Sequence, residues 1–389
     1  MTGPGRYDVV VVGAGVSGCA IAYELAPDHD VLVVDKGQVA GEASGLAAGL
    51  IAPTLFYSDY PDVARHANPF FRTFSGTGSF EFNERPRIEL IPPDKQDAGR
   101  KMAERLADEG FPVSFHDAAA AAERYPRFDF SAYPGIVEYR DAGWLDPYTY
   151  TTALGEAARE RGAAFRTDVA VEGFDVESGA VVGVETDEGT VGADHVVVAS
   201  GWRTAALLSE FASVPVVPFK LQCLTLDPAF DLDDGFPLGR VASEEIYFRP
   251  EHNGTVLFGG GEYVEERPES IVTGGGIDES FRNHVARTVP TFLNGFDDAS
   301  VVRGWSGVDA ATPDALPILD APDALPDGMA VAAGFNGLGM VNSPVTATAV
   351  RSLLTGESCP FSLSTFALDR FDPDADGIEK FGTFEAAGV

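Results

Sequence analysis

The first patterned stretch is Asp8–Val12, where four consecutive valines follow an aspartate. A continuous β-branched run of this kind marks a strand buried on both faces. Glycines interrupt it, helical spacing of apolar residues runs from Ser17 to Leu25, and a second apolar run, Asp30–Asp35, follows a short turn. Strand, glycine turn, helix and strand form a βαβ unit. Between Pro61 and Tyr139 the chain becomes mixed polar and aromatic, with one helical run at Asp94–Glu109. A helix is expected at Pro147–Arg161, with strands at Ala164–Phe174, Val181–Thr186, Asp194–Ser200, Val214–Leu226 and Glu245–Gly259. Gly259–Gly261 reads as the turn ending the last of these, and Gly274–Gly276 as a loop tip. An apolar strand at Gly328–Ala333, a glycine-rich loop and a helix at Ser343–Leu354, closed by Gly356, come last, before a tail. The order predicts an α/β protein: a nucleotide-type fold visited three times (1–85, 145–210, 300–389), with an α+β domain inserted twice (86–144, 211–299).

Length and composition sharpen this picture. The 389 residues are 45% hydrophobic and 11% aromatic, enough to bury a sizeable interior. Lys and Arg total 27 against 60 Asp and Glu, a net charge of −33, and only five basic residues are lysines. Such a surface repels nucleic-acid phosphates and anionic lipid. It reads as a solvated carboxylate shell of the halophilic type. Cys19, Cys223 and Cys359 are too scattered for a disulfide framework or a cysteine zinc site. No His/carboxylate pattern suggests a metal. No stretch is long and apolar enough for a membrane span, and a cytoplasmic location is expected; the sequence is silent on oligomeric state.

The chemistry concentrates at the glycines. Gly13-Ala14-Gly15-Val16-Ser17-Gly18 is a GxGxxG directly after a strand and opening a helix. Gly13 allows the tight turn, Gly15 a close approach to a pyrophosphate and Gly18 tight helix–strand packing. The helix N-terminus turns free amides towards the phosphates. Asp35, ending the second strand, suits a ribose diol. GEASGLAAGL (Gly41–Leu50) and AAGFNGLGM (Ala332–Met340) add bare backbone, the second just before an apolar helix whose positive end suits a reduced flavin. Together the clusters favour FAD over other dinucleotides.

With these segments in view, the chain resembles the FAD-dependent D-amino-acid oxidase, glycine oxidase and sarcosine oxidase or dehydrogenase group. The matching pieces are VVVVGAGVSG, VVDK, EASGLAAGLIAP, DPYTYTTALGEAARERGA, VVVASGW, IYFRPE, WSGVDAATPDALPILD and AAGFNGLGM. The resemblance implies a Rossmann-like FAD-binding domain and an inserted mixed-sheet substrate domain. By matching position, Val16, Ser17, Asp35, Lys36, Ser44, Ala48, Gly49 and Leu50 would contact the cofactor. Val171 would bond the adenine through its backbone, Gly201 would pass close by, and Gly334 with Phe335, Asn336, Gly337, Leu338, Gly339, Met340 and Val341 would hold the flavin's polar edge. No Cys occupies Ala48–Ile51, Trp305–Asp309 or Phe335–Met340, so the expected FAD is non-covalent.

On the substrate side, Tyr247 and Arg249 share one strand face. Arg249 suits a bidentate grip on a carboxylate, although a surface cross-strand pair has the same signature. Lys220 is a further pocket candidate, and a plain surface lysine reads the same way. One departure stands out. The family's WxGxR stretch places an Arg on the substrate carboxylate, and here that residue is Asp309; after Phe335-Asn336, where some members carry Arg, stands Gly337. Either another cation (Arg249, Arg72 or Arg65) serves, or the substrate differs and Asp309 meets an ammonium group. The expected activity is oxidation of the C–N bond of a small amine, a D-amino acid or an N-alkyl amino acid such as sarcosine or proline. Hydride would pass to flavin N5, the imine would hydrolyse, and oxygen or an electron carrier would reoxidise the flavin. The alternatives are a 2-hydroxy-acid or glycerol-phosphate dehydrogenase on the same fold, and a flavin electron-transfer subunit of a larger complex.

Overall fold

The computed structural model describes residues 5–228, 230–263 and 274–371; the tail expected from the sequence lies almost wholly outside them. Two eight-stranded sheets carry the architecture. In the first, Ala164–Arg166, Val31–Val34, Arg6–Val12, Gly189–Val198 and Met329–Ala333 run parallel in that order. The meander Val171–Glu177, Ala180–Thr186 continues antiparallel from the early part of Gly189–Val198. Valines at 9–12, 31, 33 and 34 and Leu32 are buried on both faces, as a parallel sheet between helices requires. The helices Val16–Leu25, Pro147–Glu160 and Gly339–Thr355 pack together on one face.

The last helix contains Pro344, which cannot donate to the carbonyl of Met340. Ser343 Oγ takes that acceptor at 2.7 Å, and Tyr150 Oη bonds the same hydroxyl. The helix therefore begins at Gly339 rather than at Ser343, as the sequence pattern had it, because the proline's acceptor is satisfied locally.

The second sheet is mixed. Its order is Ser300–Ala311, Val217–Asp227, Val256–Tyr263, Ile246–Pro250, Leu238–Val241, Arg87–Ile91, Gly135–Tyr139 and Val113–Asp117, with one parallel pairing between Leu238–Val241 and Arg87–Ile91. One face buries Phe248, Phe258 and Leu224 against Phe292 and its neighbours on the helix Glu279–Phe292. Ser300–Ala311, which the sequence reading grouped with the nucleotide fold, is an edge strand of this sheet, paired along Val217–Asp227.

Two glycine readings change. Gly259–Gly261 is not a turn but lies inside the strand Val256–Tyr263. Gly259 sits opposite Tyr247 in register, and a Cβ there would collide with the tyrosine ring. Gly274–Gly276 is no free tip: the Gly274 N–H bonds the Ser306 carbonyl and the Ser306 N–H bonds the Gly275 carbonyl. The turn of the expected long strand Glu245–Gly259 falls instead at 251–255, where Glu251 N–H bonds the Thr255 carbonyl.

Candidate active site

A cavity of about 780 Å³ runs between the two sheets, within the range of cofactor pockets. Its first wall is mostly bare backbone. Gly13 follows the first strand at φ +115°, in the left-handed region that a side chain avoids, and a Cβ would strike the Ala199 carbonyl. Gly15 and Val16 open the helix Val16–Leu25, and Val16 N–H donates to Ser44 Oγ at 2.9 Å. Asp35 accepts from the amides of Ala14 (2.6 Å) and Gly37 (2.7 Å), clamping the glycine turn to the end of the second strand. Across from it, Glu42 pairs with both Lys36 (3.2 Å) and Arg203 (2.5 Å). Burial pushes the Glu42 carboxyl up, but Arg203 and Lys36 outweigh it and hold it below its ordinary value.

The second wall comes from the mixed sheet and the C-terminal loop. Trp305, Gly307 and Asp309 alternate along the edge strand, and Trp305 Nε1 donates to the Leu46 carbonyl. Asn336, at φ +54°, accepts from Thr312 N–H, and its own N–H bonds the Ala310 carbonyl. Gly337 N–H donates to Asp309 Oδ2 at 2.9 Å. The loop before the last helix is thereby latched onto the second sheet.

Of the residues expected at the cofactor, Gly13, Gly15, Val16, Ser17, Asp35, Lys36, Ser44, Val171, Gly201, Phe335, Gly337, Gly339 and Met340 line this cavity. The others lie behind it. A Cβ at Gly18 would hit the Gly13 carbonyl, and one at Gly49 the Leu145 carbonyl. Leu50 pairs with Trp144, Gly334 packs on Thr312, Leu338 caps the last helix, and Val341 is buried within it. Ala48 turns its carbonyl to Arg249.

The three residues expected at the substrate do not line the cavity. Lys220 reaches Asp278 at 2.5 Å, while its neighbour Leu221 faces the cavity; one residue along a strand reverses the face. Arg249 is 3% exposed. Its guanidinium bonds the Ala48 carbonyl at 2.5 Å and Glu251 at 3.1 Å, and stacks on Trp144. Tyr247 lies beside Cys223, Oη to Sγ 3.8 Å. Burial pushes the phenol well up and the thiol up to about 11, so both are neutral. Arg65 and Arg72 are committed to Asp62 and Glu84.

Sequence reading missed Glu42, Arg203, Trp202, Leu46, Leu221 and Gly307 as cavity residues. Glu42 and Arg203 are 161 residues apart, and nothing in the local pattern announces such a pair. The alternation around Lys220 did carry a signal, one position away. Among the described residues no helix is long and apolar enough to cross a membrane, and no group of three His, Cys, Asp or Glu side chains could hold a metal.

A cavity this size, walled by glycine backbone at two helix N-termini, fits a flavin dinucleotide; a Cβ at Gly201 (φ +61°) would enter open space on its wall. The model of the DAO family, described as FAD dependent oxidoreductase, matches residues 8–353. The chain belongs to this family. It is an FAD-dependent oxidoreductase whose relatives include amino-acid oxidases and dehydrogenases. It is 29% identical over 381 residues to a glycine oxidase of Geobacillus kaustophilus, covering 94% of this chain and 97% of that one. With a D-amino acid dehydrogenase of Cereibacter sphaeroides it shares 27% over 431 residues, 93% and 95% of the two chains. The glycine oxidase crystal structure superposes with a TM-score of 0.82 at 25% identity, covering 94% and 99%. An L-proline dehydrogenase from P. horikoshii superposes at 0.85 with 22% identity, 94% and 98% covered, which speaks to the fold.

Proposed function

We propose that this enzyme oxidises the C–N bond of a small amine, with D-amino acids and N-alkyl amino acids such as sarcosine or proline as the candidate class. The observation that carries the reading is the cavity's second wall: Leu221, Gly307 and Asp309 from the mixed sheet, facing the glycine wall. The relatives named glycine oxidase and D-amino acid dehydrogenase support the same class. When bound, FAD accepts the substrate's hydride and passes the electrons to oxygen or a carrier.

The chain's part is positioning. The first-turn amides after Gly15 suit the pyrophosphate, Asp35 and Lys36 the ribose, and the Val171 backbone the adenine. The amides opening Gly339–Thr355 place partial positive charge beside the flavin's polar edge. Leu221, Phe335 and Met340 line the cavity and would keep water from the reacting carbon. Cavity-lining residues include no Cys or His, which supports a non-covalent cofactor; acid precipitation should release all the flavin. The three free cysteines and the acidic composition support a cytoplasmic site of action.

The test is anaerobic mixing of purified holoprotein with amino acids, N-methyl amino acids and 2-hydroxy acids. Bleaching by amines and not by hydroxy acids is expected. Bleaching by hydroxy acids alone, or protein that stays colourless after reconstitution with FAD, overturns the reading.

A further inference from the structure

We propose that Asp309 selects the charge of the substrate: its carboxylate receives the cationic nitrogen of an amine, so substrates with net positive charge at the reacting end are favoured over zwitterionic α-amino acids. The proposal rests on the amine-oxidising reading above and narrows its substrate class.

Asp35, Lys36, Glu42, Arg203 and Asp309 are the charged side chains on the described cavity lining. Both cations are committed to Glu42, and Asp35 gives its two oxygens to backbone amides. Asp309 is the one charged side chain that the second sheet brings to the cavity. It is half-buried, with its open side on the cavity. One oxygen accepts the Ala310 N–H at 2.8 Å and the other the Gly337 N–H at 2.9 Å, which leaves lone pairs on both. Burial raises its pKa; the two amides oppose that, and among the described residues no neighbouring cation contributes.

A desolvated carboxylate without a counter-ion is unfavourable alone and is relieved by an ammonium group. A second carboxylate placed against it meets like charge, which discriminates by repulsion. The three arginines that the sequence offered for a substrate carboxylate, Arg65, Arg72 and Arg249, are held by Asp62, Glu84 and Glu251. The second wall therefore attracts cations and repels anions.

The experiment uses holoenzyme and matched pairs, glycine with glycinamide and D-alanine with D-alaninamide, at neutral pH where the amines are mainly ammonium ions. Each pair presents the same C–N bond and differs in the carboxylate. Anaerobic flavin reduction gives rate and Kd; perturbation of the oxidised flavin spectrum by tetramethylammonium or benzoate gives binding without turnover. The amides are expected to bind about tenfold or more tightly than the zwitterions, and tetramethylammonium to perturb the flavin where benzoate does not. Asp309→Asn should erase most of the amide advantage when binding is compared per bound flavin, and Asp309→Arg should reverse it. Zwitterions binding as well as their amides in the unmodified enzyme overturn the proposal without any variant. So does an Asp309→Asn enzyme that changes both members of each pair equally, because Asp309 then acts on the cofactor. If hydroxy acids bleach the flavin and no amine does, the amine reading itself fails and this proposal with it.

Discussion

The two walls of the cavity are built by opposite means. The wall under the first sheet is main chain: Gly13, Gly15, Gly37, Gly41 and Gly201 keep side chains away, and its two cations, Lys36 and Arg203, are balanced by the two carboxylates of Glu42 and Asp35. The wall under the second sheet relies more on side chains, Leu221 and Asp309 from two paired strands far apart in sequence, with Asp309 left without a counter-ion among the described residues. Backbone recognition suits an invariant ligand, a diphosphate that every family member binds. Side-chain recognition suits the ligand that differs between enzymes. On the proposed reading the first wall specifies the cofactor, and the strands of the second wall specify the substrate.

The largest effect should come from Gly15→Val. Gly15 has φ −72° and ψ −177°, which any residue adopts, and its Cβ would approach only Ser44 Oγ, at 3.0 Å. The apoprotein should fold and melt near the parent temperature, while bound flavin falls below about a tenth of stoichiometric because the side chain fills the diphosphate site. Full flavin content in that variant would remove the backbone wall from the cofactor.

Arg249→Ala tests whether the buried cation belongs to the substrate or to the scaffold. Leaving Glu251 and the Ala48 carbonyl unpartnered should cost about 3 kcal/mol of stability, measured by denaturant melts, with little change in Michaelis constants of the enzyme that remains folded. A selective loss of affinity for carboxylate substrates at full stability would instead return Arg249 to the pocket. Gly259→Val forces Tyr247 to move within the sheet and should cost about 1–3 kcal/mol, together with altered steady-state kinetics.

Two carboxylates on the cavity should titrate in opposite senses. Folding raises the pKa of Asp309, so the folded state holds that proton more tightly than the unfolded chain. Stability is then lost as pH rises past the ordinary value of 3.8. Asp309→Asn should lack this loss, so its melting temperature should fall less than the parent's as pH is raised from acid to neutral. Folding lowers the pKa of Glu42, so its contribution is present above 4.5 and is lost as pH falls through the lowered folded value. Glu42→Gln should therefore melt slightly lower at neutral pH and match the parent in acid. The difference should be about 1 kcal/mol or less, because the pair is partly exposed. Parallel pH profiles for the two variants would contradict the contrast between the walls.

How well each wall could be read in advance follows from the same difference. Gly13, Gly15, Asp35 and the helix they open lie within one βαβ unit, where spacing along the chain dictates spacing in space. The family motifs located Phe335 and Gly337 because that loop, too, is contiguous. Lys220 was singled out in place of Leu221 because a strand's face is decided by pairing, and Val217–Asp227 gains its orientation from Ser300–Ala311 and Val256–Tyr263. Arg249 looked like a ligand because a strand face gives no hint that Trp144, Ala48 and Glu251 will surround it.

The order of residues alone pointed to the α/β class, the glycine turn and the FAD dependence, since each is a matter of local spacing or residue type, and the family resemblance added the reversal of charge at Asp309. Which cations remain available, which face of a strand meets the cavity, and whether a run of glycines bends or stays extended depended on partners distant in the chain. Charge pairing and strand register act through space, and only the folded chain brings those partners together.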